Sequence, residues 1–167
     1  MSDPVIVEVV VAAPADAVWH ALREPREIRR WFGWEHDEHG GLDEEIRLIF
    51  FEESSADDEA RVLDAGEGGA IALEDRGDRT VIRVTRAAPA GRDGWEGIYD
   101  EVNEGWLTFL QQLRFYLERH PGQDRRTVHV ATSGEDWFRS EHQSGDVRED
   151  GSLVIRTPSR VIVSRYG

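Results

Sequence analysis

Residues 5–34, VIVEVVVAAPADAVWHALREPREIRRWFGW, decide how this chain reads. Val5, Val7, Val9 and Val11 alternate as in a half-buried strand, then Pro14 stops the run. A short helical pattern follows with Val18, Trp19 and Leu22; Pro25 interrupts it, and a second one ends in Trp31, Phe32 and Trp34. Proline fits the first turn of a helix and not its interior, so the two prolines write a strand, a helix, a break and a second helix. Its counterpart lies at residues 95–117. There Trp95, Ile98, Tyr99, Val102, Trp106, Phe109, Leu110, Leu113 and Leu117 recur at spacings of three and four, which predicts one long amphipathic helix.

Between these segments the chain reads as β-structure. Residues 45–53 (EEIRLIFFE), 59–65 (EARVLDA), 70–74 (AIALE) and 79–86 (RTVIRVTR) are strand-length runs rich in Val, Ile, Thr and Phe. Glycine-containing breaks at residues 66–69 and 75–78 favour antiparallel hairpins over parallel crossovers, which need a dozen residues or more. A strand, two short helices, an antiparallel meander and one long helix make an α+β layout, solved physically by a curved sheet around the helix's apolar stripe.

Composition narrows the partners. With 167 residues, 39% hydrophobic and 9% aromatic, the chain can bury a core despite 32% charged residues. All 20 basic residues are arginine, and a formal charge of −14 disfavours nucleic acid and anionic membranes as partners. Arg29–Arg30 and Arg125–Arg126 read as solvated pairs. Without cysteine there is no disulfide and no thiol chemistry. The opening MSDPVIVEVV lacks the charged and apolar regions of a signal peptide, and no run approaches a membrane span, so a soluble cytoplasmic protein is expected.

The opening with Val18, Trp19, Leu22, Pro25, Ile28, Trp31 and Phe32, joined to Gly105–Trp106 and the following Leu110, Leu113 and Tyr116, resembles the START-like, birch-pollen-allergen-like helix-grip superfamily (SRPBCC). Within it the likeness is to the branch of homologues of the ATPase activator of the 90-kDa heat-shock protein. The resemblance covers roughly residues 5–119 and implies a curved antiparallel sheet wrapped around a long C-terminal helix. It also implies an apolar cavity between them that holds lipids, polyketide-type rings or other hydrophobic molecules. Residues 1–120 would form this domain. His120–Pro121–Gly122 reads as a helix stop. Residues 121–167 would add a β-rich extension, with strands near 126–131, 136–141, 153–156 and 161–163, packing on the same domain or across a homodimer.

The cavity candidates are Trp31, Phe32, Trp34, Phe50, Trp95, Tyr99, Trp106, Phe109 and Leu110, because small hydrophobic ligands bind aromatic-lined concavities with few polar groups. The same rings would otherwise simply be core. Phe50 and Phe51, adjacent on a strand, would face opposite sides. Gly105 inside a helix costs roughly 1 kcal/mol relative to alanine, offset by close approach of the sheet or room for the neighbouring indole. Glu35-His36-Asp37-Glu38-His39 is the one dense run of ligand-type side chains, but Gly40 and Gly41 follow it and no distant third ligand stands out. It reads as a solvated loop, and no metal or cofactor is expected. His129 and His142 read as surface or edge residues.

For catalysis the sequence offers Glu52, Glu96, Tyr99 and His36 without a nucleophile elbow, phosphate loop or dinucleotide fingerprint. The favoured expectation is a non-catalytic module that sequesters or senses a small hydrophobic molecule. A chaperone-associated or dimer-forming interaction protein comes next, and a cyclase- or dehydratase-type enzyme third.

Overall fold

The computed structural model describes residues 5–65, 69–86, 101–131, 146–156 and 160–167. The chain is α+β, with two antiparallel sheets and a long helix between them. Strand β1 (Val5–Val11) leads into α1 (Ala15–Arg23), α2 (Pro25–Arg29) and α3 (Gly41–Arg47). Then come β2 (Ser55–Asp57), β3 (Val62–Asp64), β4 (Gly69–Asp75) and β5 (Thr80–Arg86). Helix α4 (Glu101–Arg119) precedes β6 (Arg125–Ala131), β7 (Asp146–Val147), β8 (Leu153–Arg156) and β9 (Arg160–Tyr166).

The first sheet has the order β1-β5-β4-β3-β2, and every pairing is antiparallel. The register sets Val9 opposite Ile82, Val7 opposite Val84, and Leu63 opposite Ile71, all buried, so alternation puts one row of aliphatic side chains on the inner face. On the outer face Arg83 bridges Glu8 and Glu74 across three strands, and hydrogen bonds from Arg76 and then Arg83 hold the Glu74 carboxyl below its ordinary range. The second sheet, ordered β6-β9-β8-β7, is built wholly from residues after α4.

Helix α4 touches both sheets. Leu110, Leu113 and Tyr116 join the core with β1, β3, β4 and β5, while Phe115 packs with Leu153 and Ile155 of β8. Its far end is tied to the first sheet through Glu118, whose Oε1 accepts the Ala12 amide at 2.9 Å. Among the described residues no helix is long and apolar enough to cross a membrane.

Residues 45–53 are not a strand. They belong to α3 and a π-helical turn over Leu48–Glu52, preceded by a single 3₁₀ turn at Glu38–Gly40. Leu42, Ile46 and Phe50 are buried at a spacing of four, the period of a helix face, and Glu44 pairs with Arg47 one turn on. The β-rich look of LIFFE came from residue types, whereas the helical period shows only when the window starts at Leu42. Phe50 is accordingly buried on that helical face and not on a central strand; Phe51 is half-buried under the Arg23 guanidinium. Strand β2, three exposed residues, has no hydrophobic signal at all.

Helix α4 is described from Glu101, so Trp95, Glu96 and Tyr99 lie outside the described residues, as do the expected strand at 136–141 and His142. A Cβ placed on the buried Gly105 would meet, among the described residues, only the Phe109 ring, at 3.5 and 3.7 Å. Chain neighbours aside, the close contact there is with Phe109, one helical turn on, and no strand among the described residues approaches it.

Candidate functional site

The segment from Arg29 to His36 carries the densest chemistry in the molecule. It leaves α2 through Arg30 and reverses at Gly33, whose φ of 59° is left-handed. Such a reversal leaves its carbonyls without helical partners. Three side chains from the second half of the chain supply the donors. Arg125 on β6 donates to the carbonyls of Trp31 (2.9 Å), Phe32 (2.7 Å) and Arg29 (3.2 Å). Gln112 on α4 donates to those of Trp31 (2.8 Å) and Gly33 (3.2 Å), while its own oxygen accepts the Ser164 hydroxyl at 3.2 Å. Tyr166 on β9 donates to the Arg30 carbonyl at 2.6 Å. Five consecutive carbonyls are therefore satisfied by α4, β6 and β9.

Arg125 is thus buried, 6% exposed, and not solvated as its sequence context suggested. Burial pulls its pKa down to about 10, so it remains a cation at neutral pH. Arg30 is also part-buried: burial works against its charge, but hydrogen bonds with Tyr116 and Asp124 raise its pKa overall. Burial pushes the Tyr116 phenol up, as does its 2.6 Å donation to Glu27.

Above this seam lies an aromatic cluster. Trp31, Phe32 and Phe50 meet edge to face at centroid distances of 5.0–5.9 Å, and the Trp31 indole donates to the Ala21 carbonyl at 2.8 Å. Phe32 also meets Phe109 at 4.7 Å and Trp106 at 6.2 Å. Trp31, Phe32, Phe50 and Leu110 are buried; Trp34, Trp106 and Phe109 are half-buried. Seven of the nine residues chosen from the sequence therefore fall in one region: six rings in successive T-shaped or tilted contact, with Leu110 in the same core. The other two, Trp95 and Tyr99, lie outside the described residues.

The chain of rings ends at Trp34, which contacts Phe109 at 6.1 Å and lies flat on His129 of β6, 4.2 Å between centroids and 4° from parallel. Trp34 and Leu48 form the apolar wall of a pocket of about 360 Å³ whose other lining includes His36, His39 and Glu45. His36 Nε2 donates to Glu45 Oε2 at 2.7 Å, which puts a proton on Nε2; in the neutral ring Nδ1 is then the acceptor. That Nδ1 is buried with no hydrogen-bond partner, a state it shares with the Ser54 and Thr108 hydroxyls among the described residues. The π-helical turn carrying Leu48 borders the pocket, a distortion often met at functional sites.

The polar run at 35–39 contributes to this pocket through His36, Glu38 and His39 instead of forming a wholly solvated loop. Among the described residues no group of three or more histidine, aspartate or glutamate side chains is placed to hold a metal. Glu52 is exposed and paired with Arg47, away from the pocket lining. Sequence reasoning missed Glu45, hidden in a supposed strand, along with Gln112, Arg125 and Tyr166; only the HxxxGG spacing before a helix could have hinted at the His36–Glu45 approach.

No family model matches the chain, and no curated protein does. Among solved structures it is similar to that of DynU16, a protein of the dynemicin biosynthetic locus, at 17% identity, covering 96% of this chain and 85% of that one with a TM-score of 0.41.

Proposed function

We propose that this chain is a helix-grip module that binds a small hydrophobic molecule, without transforming it, against the aromatic rings between the first sheet and α4. The observation that carries this reading is the unbroken run of rings from the buried Trp31, Phe32 and Phe50 to the half-buried Trp106, Phe109 and Trp34. A ligand entering over Trp34 and Leu48 meets one apolar wall, continuous with the rings behind it, and faces the polar side chains of His36, Glu38, His39 and Glu45. Also supporting it are the antiparallel sheet with β1 beside β5 and the packing of α4 on β1. Titration with the neutral dye N-phenyl-1-naphthylamine tests it. Saturable fluorescence that falls at least about tenfold in affinity in Trp34→Ala and Trp106→Ala is expected. No saturation with the parent protein, joined to native mass spectra free of any co-purified molecule, would defeat the reading.

One observation favours a second reading, chemistry at the same pocket. The His36–Glu45 pair presents an imidazole with a fixed tautomer and an unengaged acceptor, the arrangement of a general base oriented by a carboxylate. The two readings part on one measurement: a recovered ligand that returns unchanged after incubation with excess protein speaks for binding alone.

A further inference from the structure

A second concavity, of about 690 Å³, opens where α2 meets the start of β6. In a chain of formal charge −14, its lining brings together Arg26, Arg29, Arg30, Arg125 and Arg126 with two acidic side chains, Glu35 and Asp124, and with Gly167, the last residue of the sequence, whose main-chain carboxylate adds a further negative group. These cations are not equivalent. Arg30 is occupied by Glu27 and Asp124, and Arg29 by the exposed Asp43. Arg26 and Arg126 are exposed, their side chains make no hydrogen bond or ion pair among the described residues, and they come from different elements, one from α2 and one from β6.

Arg125 supplies the second, independent observation. Its guanidinium is spent on three neutral carbonyls, and no carboxylate among the described residues lies in salt-bridge contact with it. Three carbonyl dipoles and the non-contacting Glu35 carboxylate only partly offset this buried charge, a costly state that a further anion nearby relieves. Two unengaged guanidiniums lining a crevice beside such a site match the forked geometry of oxyanions.

We infer that the crevice between α2 and β6 is a binding site for an oxyanion group, phosphate or carboxylate, on a small molecule, with Arg26 and Arg126 as its direct ligands and Arg125 as the fixed charge beneath. The crevice is separate from the Trp34 pocket, so its test is independent of hydrophobic-ligand binding. Isothermal titration with inorganic phosphate and, separately, citrate is run at constant ionic strength on the full chain. Saturation by either supports the site, and the better of the two names the headgroup. The Arg26→Gln/Arg126→Gln double variant is expected to bind at least about tenfold more weakly, the loss of a charge-assisted hydrogen bond. Both side chains are free and exposed, so its melting temperature without anion should equal the parent's. Arg79→Gln, which removes an exposed arginine elsewhere, should bind as the parent does. Failure of both anions to saturate the parent at millimolar concentration overturns the inference. So does equal binding by the double variant, or an equal loss in Arg79→Gln, which would mark a general charge effect.

Discussion

Residues 29–33 and residues 34–36 are neighbours on one loop, yet their polar groups are treated in opposite ways. In the first stretch every carbonyl has a donor, drawn from side chains up to 136 residues away. In the second, the His36 ring has one nitrogen held by Glu45 and the other buried with nothing to bond. A buried carbonyl left unpaired costs about 1–3 kcal/mol, so a segment that must stay closed is saturated. At the His36 Nδ1 the group is left open instead, and the fold carries the cost. The same loop thus holds a seam that joins the two halves of the chain and a pocket wall.

The contrast can be broken most directly by removing the donors. A chain ending at Arg119 loses Arg125, Ser164 and Tyr166 together, so it should show no cooperative unfolding transition by circular dichroism. A sharp transition in that fragment would mean that the seam is incidental. Next in size, Arg125→Met leaves the Phe32 and Arg29 carbonyls without donors and should cost about 3–5 kcal/mol in denaturant unfolding. A loss under about 1 kcal/mol would show that water replaces the guanidinium.

The open side of the comparison predicts a much smaller change. His36→Leu removes a buried acceptor that has no partner and frees only the half-exposed Glu45, so stability should move by no more than about 1 kcal/mol in either direction. A loss as large as that of Arg125→Met would place His36 among the structural groups. The smallest effect belongs to a group that is satisfied but exposed. Asp150 accepts from the Ser152 hydroxyl and amide and from Arg165, and these hold its pKa down at about 2, below the ordinary 3.8. A depressed carboxyl pKa gives stability that is fully present above the unfolded value and lost as pH falls through the folded one. The melting temperature of Asp150→Asn should therefore lie slightly below the parent's at pH 5, and the gap should close between pH 4 and 2. A gap independent of pH would remove charge from the explanation.

Much of this architecture was legible in residue order. Alternation in 59–65, 70–74 and 79–86 marks β3, β4 and β5, and the three- and four-residue spacing through Leu110, Leu113 and Leu117 marks α4. The strands at 126–131, 153–156 and 161–163 were visible as short apolar runs between turn residues. Residues 45–53 misled because Ile, Leu and Phe populate strands and buried helices alike, and a five-residue apolar run carries too little period to choose. Arg125 misled for a different reason: an arginine pair looks solvated unless one knows that unpaired carbonyls wait opposite it.

By itself, then, the sequence determined the α+β class, the antiparallel meander and the long helix. Those follow from local periodicity, because a strand or helix must present its apolar face every two or every three to four residues. Only the tertiary structure decided that α4 lies between two sheets, that Arg125, Gln112 and Tyr166 close one loop, and that His36 faces Glu45. Hydrogen bonds between side chains and distant backbone depend on where chain segments meet in space, and no spacing along the chain records that.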